Sequence, residues 1–410
     1  MSTPSSLHAR AWLTVALLWV VGALNYLDRV MITTMRGSVI EAIPMTDAQF
    51  GLLTSVFLWV YAVLSPFAGF LADRFSRSRV IIASLFAWSV ITWLTAHATT
   101  FGELLATRAL MGISEACYIP AALALITDYH RTTTRSLAVG VHMSGIMVGS
   151  GLGGLGGWIA ERHGWAHAFS LFGLVGIGYA VLVAFFLRDV PQPLTATSTA
   201  SSKSDVKLGA ALVSLFSRGA FILALFYWGL LGLAGWAVVG WMPTYLNEHF
   251  HLSQGTAGLS ATGYLQAAAL VGVLLGGVWA DRWSRTNPRA PILVPVIGLC
   301  IAAPGILLSG TTDTLYLAIA GLVVFGVTKS FSDSNMMPIL SLVADTRYRA
   351  TGYGVLNLCS CTVGGLTVYA GGALRDAHID VNRIFQFAAA SILVCATLLF
   401  FVKPKNPPAS

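Results

Sequence analysis

Seven ionisable side chains fall inside stretches of this 410-residue chain that are otherwise apolar: Asp28, Arg29, Arg108, Glu115, His142, Lys329 and Asp333. In an apolar helix bundle such groups are costly unless paired or wet, so each is a functional candidate by its position. Carboxylates there can take up and release protons, and arginine or lysine can hold an anion. At 1.5 Å per residue, Glu115 lies about 20 Å along a helix that starts near residue 101, and Arg108 about 10 Å before it. Seven residues is close to two turns, so the two project from one face as a column. Asp333 follows Lys329 by four residues, one turn along the same face. Asn25, Gln266, Ser330 and Asn335 would supply polar contacts beside them, with Tyr118 among the aromatic candidates.

The elements that must position these groups are membrane helices. The chain is 56% hydrophobic and 10% charged, with a mean hydropathy of +0.74, against about 25% charged residues in a soluble domain. A crossing takes about 20 apolar residues, and twelve such runs occur at 11–34, 48–72, 80–99, 101–127, 135–160, 166–187, 218–246, 255–280, 290–309, 314–345, 350–374 and 383–402. They are too long for the alternating strands of an outer-membrane barrel. The first run holds Asp28 and Arg29 and lacks a small-residue cleavage site, so it reads as a helix that stays in the protein. The five cysteines lie in helices without metal-ligand spacing, and no metal or cofactor is expected.

The net charge of +7 follows from topology. With both termini in the cytoplasm, 17 of the 24 basic residues fall on inside segments, the positive-inside bias. Arg36, Arg162, Arg375 and Arg383 are the outside ones. No nucleic-acid partner is needed to explain the charge.

The most hydrophilic internal stretch, "RDVPQPLTATSTASSKSDVKLG", divides the helices six and six, giving an N-terminal bundle 1–187, a linker 188–217 and a C-terminal bundle 218–410. The halves repeat. "GFLADRFSRSR" recurs as "GVWADRWSRTNPR", with Asp73 and Asp281 208 positions apart, and "GISE…P…D…RSLAVG" recurs as "GVTK…P…D…RATGYG", mostly 214 apart. Two parallel six-helix repeats are the plan of carriers that rock about a central site. In this alignment Glu115 corresponds to Lys329, which predicts an acidic and a basic site facing each other across the cleft. Asp28 or Arg29 would point toward Glu115 or Arg108. The repeated loops predict a clasp on the cytoplasmic side that forms and breaks, from Asp73, Arg74, Arg77, Asp128, Asp281 and Arg282. The alternatives are arginines that only set topology, and a static lattice of buried ion pairs; His142 reads as a neutral core histidine.

"GFLADRFSRSR" resembles the signature between helices 2 and 3 of the major facilitator superfamily, and the resemblance covers nearly the whole chain. "LNYLDR", "TRALMGISEACY" and "VGSGLG" look like the spinster-like transporters, and the first two also like the organic anion symporters that include sialin and the sugar-acid carriers. The resemblance implies alternating access, proton coupling through membrane carboxylates and an anionic substrate. Asp28, Arg29 and Glu115 match the family's charged positions in helices 1 and 4, with Glu115 and then Asp28 as proton carriers. Animal spinster-like members carry lysolipids and sphingosine phosphate. Ser76 and Ser78 depart from the commoner glycine and basic residue of the loop signature.

The combined expectation is an all-α inner-membrane protein of twelve helices, a monomer, that carries a small organic anion together with a proton by symport; an amphiphile, possibly exported, is the alternative. Arg29, Arg108, Lys329, Asp333, Asn25, Tyr118, Gln266 and Asn335 would bind substrate. No H-E-x-x-H, G-x-x-x-x-G-K-[ST] or suitably placed G-x-S-x-G motif suggests an enzyme.

Overall fold

The computed structural model describes residues 4–130, 134–190, 208–345 and 348–402; the side chains of residues 4–8, 66, 68–73, 208 and 350 lie outside that description. The central linker segment 191–207, Arg131, Arg347 and the Asp73 side chain therefore fall outside it. Twelve helices are long and apolar enough to cross a membrane: α1 (Ala9–Thr34), α2 (Asp47–Ser65), α3 (Arg77–Thr95), α4 (Phe101–Tyr129), α5 (Arg135–His163), α6 (Trp165–Phe186), α7 (Gly219–His249), α8 (Gln254–Ser284), α9 (Ala290–Thr311), α10 (Leu315–Val343), α11 (Thr351–Asp376) and α12 (Val381–Phe400). Each matches one of the expected runs to within four residues, except that the second span ends at Ser65 against an expected 72.

Helix starts are set by local chemistry. Thr100 and Glu103 form a reciprocal capping box at the head of α4, and Ser253 accepts from the Thr256 N–H at the head of α8. Interruptions have causes too. The helical run of α4 stops at Glu115 and resumes at Tyr118. Pro120, in the first turn of the resumed helix, has no N–H to give the Ala116 carbonyl. The glutamate thus stands at the end of a helical segment.

The packing repeats with the sequence. In the first half α1 packs on α5, α2 on α4 and α3 on α6; in the second, α7 packs on α11, α8 on α10 and α9 on α12. Glycines permit the closest approaches. A Cβ at Gly149 would lie 1.9 Å from the Ala23 carbonyl oxygen, and one at Gly272 would lie 2.0 Å from that of Val327. The halves meet along α2–α11 and α5–α8. Large apolar side chains such as Phe185, Phe226 and Leu274 are exposed on the perimeter, as lipid contact requires.

Candidate functional site

The charges of the first half form one buried cluster. Arg29 donates from Nη2 to Glu115 Oε2 at 2.9 Å, with the two side chains 3% and 0% exposed. The Arg29 guanidinium lies 4.4 Å from the Tyr26 ring centroid, 4.6 Å from Tyr61 and 4.8 Å from Phe57, so aromatic faces replace part of its lost hydration. Its Nη2 also reaches Asn25 Oδ1 at 3.5 Å. Arg108 is fully buried and donates to the backbone carbonyls of Leu53 and Arg29, both at 3.4 Å. Asp28 accepts from Thr92 Oγ1 at 3.2 Å. One oxygen of each carboxylate, Asp28 Oδ1 and Glu115 Oε1, has no hydrogen-bond partner among the described residues.

The second ionisable pair lies apart from this cluster. A cavity of about 220 Å³ is lined by α7, α8, α10 and α11, with Met147 of α5 reaching it from the first half. Lys329, Ser330, Asp333, Gln266 and Ser360 give it polar groups, and Trp228, Trp236, Leu231 and Phe325 an apolar wall. Lys329 Nζ donates to both oxygens of Asp333, at 3.0 and 2.9 Å.

This arrangement corrects one expectation. Glu115 and Lys329 do not face each other across the cleft: Lys329 lines the cavity beside Asp333, whereas Glu115 is buried outside it on Arg29, one of its expected partners. Helix position sets depth, but the partner is chosen by which side chains pack, and Arg29 on α1 reaches Glu115 where the α4 segment ends. Asp28 turns instead toward Thr92 of α3. Among the expected substrate contacts, Lys329, Asp333 and Gln266 line the cavity, whereas Arg29, Arg108, Asn25, Tyr118 and Asn335 are buried away from it. Tyr118 donates to the Leu18 carbonyl at 2.8 Å and meets the Trp88 and His142 rings edge-on. Asn335 donates to the Phe331 carbonyl at 2.9 Å. His142 is a buried core residue with Nδ1 3.1 Å from the Leu18 carbonyl.

At the face bearing the chain termini, contacts stay within each half. Arg77 pairs with Asp128, and Arg218 with Asp345 at 3.7 Å. Ser76 and Ser78 acquire a role here: the Ser76 hydroxyl and the Ser78 N–H, at 2.8 Å, both bind Asp189 just past α6. Arg74, Asp281 and Arg282 are exposed, and among the described residues no ion pair joins the halves at this face. Of the expected clasp, Arg77 and Asp128 pair within the first half, and the Asp73 side chain lies outside the described residues.

The opposite face is where the halves are tied. Arg36 and Asp47 of the first half interlock with Glu248 and Arg375 of the second: Arg375 Nε to Asp47 at 2.9 Å, Arg375 in a two-pronged contact with Glu248 at 2.8 and 2.9 Å, and Arg36 to Glu248 at 3.1 Å. Asp376 accepts the Asp47 and Ala48 N–H groups at 2.8 and 3.0 Å, capping the start of α2. Glu161 of α5 accepts the Gly255 N–H at 2.7 Å, at the start of α8. Each half therefore lends an acidic side chain to a helix N-terminus of the other, where orphan donors and the helix dipole favour negative charge. Sequence reasoning had counted Arg36 and Arg375 only as topology markers. The available signal was symmetry, because Glu161 and Asp376 end corresponding helices, 215 positions apart.

Two repeated six-helix bundles, tied by ion pairs at one face, with an ionisable pair in the cavity they share, define a membrane carrier. The chain belongs to the Major Facilitator Superfamily, whose profile matches residues 18–369. It is 26% identical over 337 residues to protein spinster homolog 1 of Xenopus laevis, an alignment that covers 78% of this chain and 64% of that longer protein. It is 26% identical over 395 residues to a probable sulfoacetate transporter of Cupriavidus necator, covering 92% of this chain and 90% of the relative. Among solved structures it superposes on a bacterial homolog to the human lysosomal transporter Spinster, in an inward-facing and unoccupied conformation, with a TM-score of 0.77 at 22% identity, over 98% of this chain and 96% of that one.

Proposed function

We propose that this transporter is a proton-coupled symporter of a small organic anion, working by alternating access in the inner membrane with both termini in the cytoplasm. The observation that carries the reading is Lys329. It is the only lysine within the twelve spans, and its ammonium opens into the cavity shared by the halves. A fixed positive charge at a partly hydrated midplane site suits a carboxylate or sulfonate, and the relative named for sulfoacetate transport fits the same chemistry.

Glu115 and Asp28 are the proton carriers in this reading. Each is buried, and each holds one oxygen without a donor, so a proton is the available means of compensating it. Protonation of Glu115 would release Arg29, and the α1–α4 contact would change with it. Arg29 and Arg108 then act on the carboxylates, and substrate contact falls to Lys329 and Gln266. The face bearing the chain termini corresponds to the cytoplasmic side. In this reading the chain carries its substrate across unchanged, without enzymatic chemistry.

The apolar wall of Trp228, Leu231, Trp236 and Phe325, together with the spinster relatives, supports a second reading in which the cargo is an anionic amphiphile. Proteoliposomes under an imposed pH gradient separate the two. Accumulation of sulfoacetate or gluconate that Glu115→Gln abolishes while exchange persists supports the symporter. Movement of a lysophospholipid with neither small anion moving supports the amphiphile.

A further inference from the structure

The Lys329 ammonium already has an occupant. Asp333 holds it with both carboxylate oxygens, and the pair is reached by water, with the lysine side chain 22% and the aspartate 33% exposed. An incoming anion would find its counter-charge neutralised and a second negative charge within a few ångströms of its binding position, which at that distance is strongly repulsive.

The surroundings offer no other cation to relieve this. Tyr227 is a fully buried titratable side chain of α7 within electrostatic reach of Asp333. Gln266 faces the cavity from α8, Ser360 from α11 and Met147 from α5. The sequence of α9 carries no charged residue, and its one cysteine, Cys300, is exposed. Among the described lining residues, Lys329 and Asp333 alone carry charge.

We propose that Asp333 is an internal competitor for the substrate site: when ionised it occupies Lys329 and excludes anions, and when protonated it gives Lys329 up to the substrate's acidic group. The proton and the anion then bind as a unit in one place, before any contribution from Glu115. No bond is made or broken; a proton moves from water to a carboxylate oxygen, and the ammonium changes partner from Asp333 to the anion. Binding is reciprocal, so an anion seated on Lys329 raises the proton affinity of Asp333 by the factor that the proton raises the affinity for the anion. The substrate class follows: an organic acid with no ammonium of its own, since a zwitterion would satisfy Lys329 and Asp333 together and need no proton.

This rests on the anion reading above, and one experiment separates the two. The purified full chain is titrated with sulfoacetate and with gluconate across acidic to alkaline pH, following the fluorescence of Trp228 and Trp236, which line the cavity. Wild-type affinity is expected to fall as pH rises, by up to about tenfold per pH unit, the slope for one linked proton. Asp333→Asn is expected to bind at the tighter, acid-side affinity throughout, and Lys329→Gln to lose binding. Asp333→Ser serves as a second variant should the asparagine fold poorly. Wild-type binding that does not vary with pH, or a pH slope that survives in Asp333→Asn or Asp333→Ser, overturns the competition and leaves the anion reading standing. If neither probe binds the wild-type protein at any pH, both are overturned.

Discussion

Arg29 and Glu115, on helices far apart in sequence, meet at 2.9 Å inside the first bundle, and the pair sits under three aromatic rings out of reach of solvent. Such a pair is a poor source of net stability but a severe loss when halved, because the survivor is a buried lone charge. Arg29→Met is therefore expected to destabilise the purified protein by about 3–5 kcal/mol. The double variant Arg29→Met with Glu115→Gln should recover most of that loss without recovering proton-driven accumulation. Thermal unfolding in detergent, set beside transport in liposomes, reads both. Equal destabilisation of the single and double variants would show that packing, and not charge, dominates.

Asp28 makes a different case, because its one hydrogen bond comes from Thr92 and an asparagine can accept the same bond. Asp28→Asn is expected to fold with wild-type thermal stability. Its counterflow exchange should be retained and its accumulation against a gradient reduced at least tenfold. Accumulation at the wild-type level would remove Asp28 from the coupling.

Loss of the Asp376 side chain uncaps α2. Asp376→Ala should cost the tied conformation about 0.5–2 kcal/mol, the usual loss for a helix cap, which is roughly two- to thirtyfold in population. Spin labels at Glu41 and His378, both exposed at that face, should report a longer distance in more molecules. Arg375→Ala should add to the effect, since Arg375 bridges Asp47 and Glu248.

Two glycines distinguish motion from folding. A Cβ at Gly372 would sit 2.1 Å from the Asp47 carbonyl oxygen across the halves, whereas one at Gly149 would sit 1.9 Å from that of Ala23 within a half. Gly372→Ala should keep thermal stability and lengthen the Glu41–His378 distance. Gly149→Ala should lower stability by about 1–3 kcal/mol, as overpacking does, with no preference between conformations. The reverse pattern would place the rigid units elsewhere.

The twelve helices and their duplication were legible because both are written in local composition: apolar runs of membrane length, and the "ADR" loops repeated across the linker. The seven ionisable residues within the spans were legible for the same reason, since charge stands out against such runs. Partners were not. A residue's number gives its depth, but the rotation that turned Arg29 to Glu115 and Asp28 to Thr92 depends on how α1 packs against α3, α4 and α5. The tie between Asp376 and α2 was hidden more deeply, because it joins two loop-proximal residues 329 positions apart.

The exchange of caps between halves has a mechanical consequence. Asp376 reaches from the second half to α2 and Glu161 from the first half to α8, so the two contacts lie on either side of the pseudo-symmetry axis and point in opposite senses. In the proposed alternating access, a tilt that withdraws one would withdraw the other, and three backbone N–H groups, those of Asp47, Ala48 and Gly255, would return to water in one movement. On that reading the face would work as a double bolt thrown by a single key, with half-opening gaining nothing.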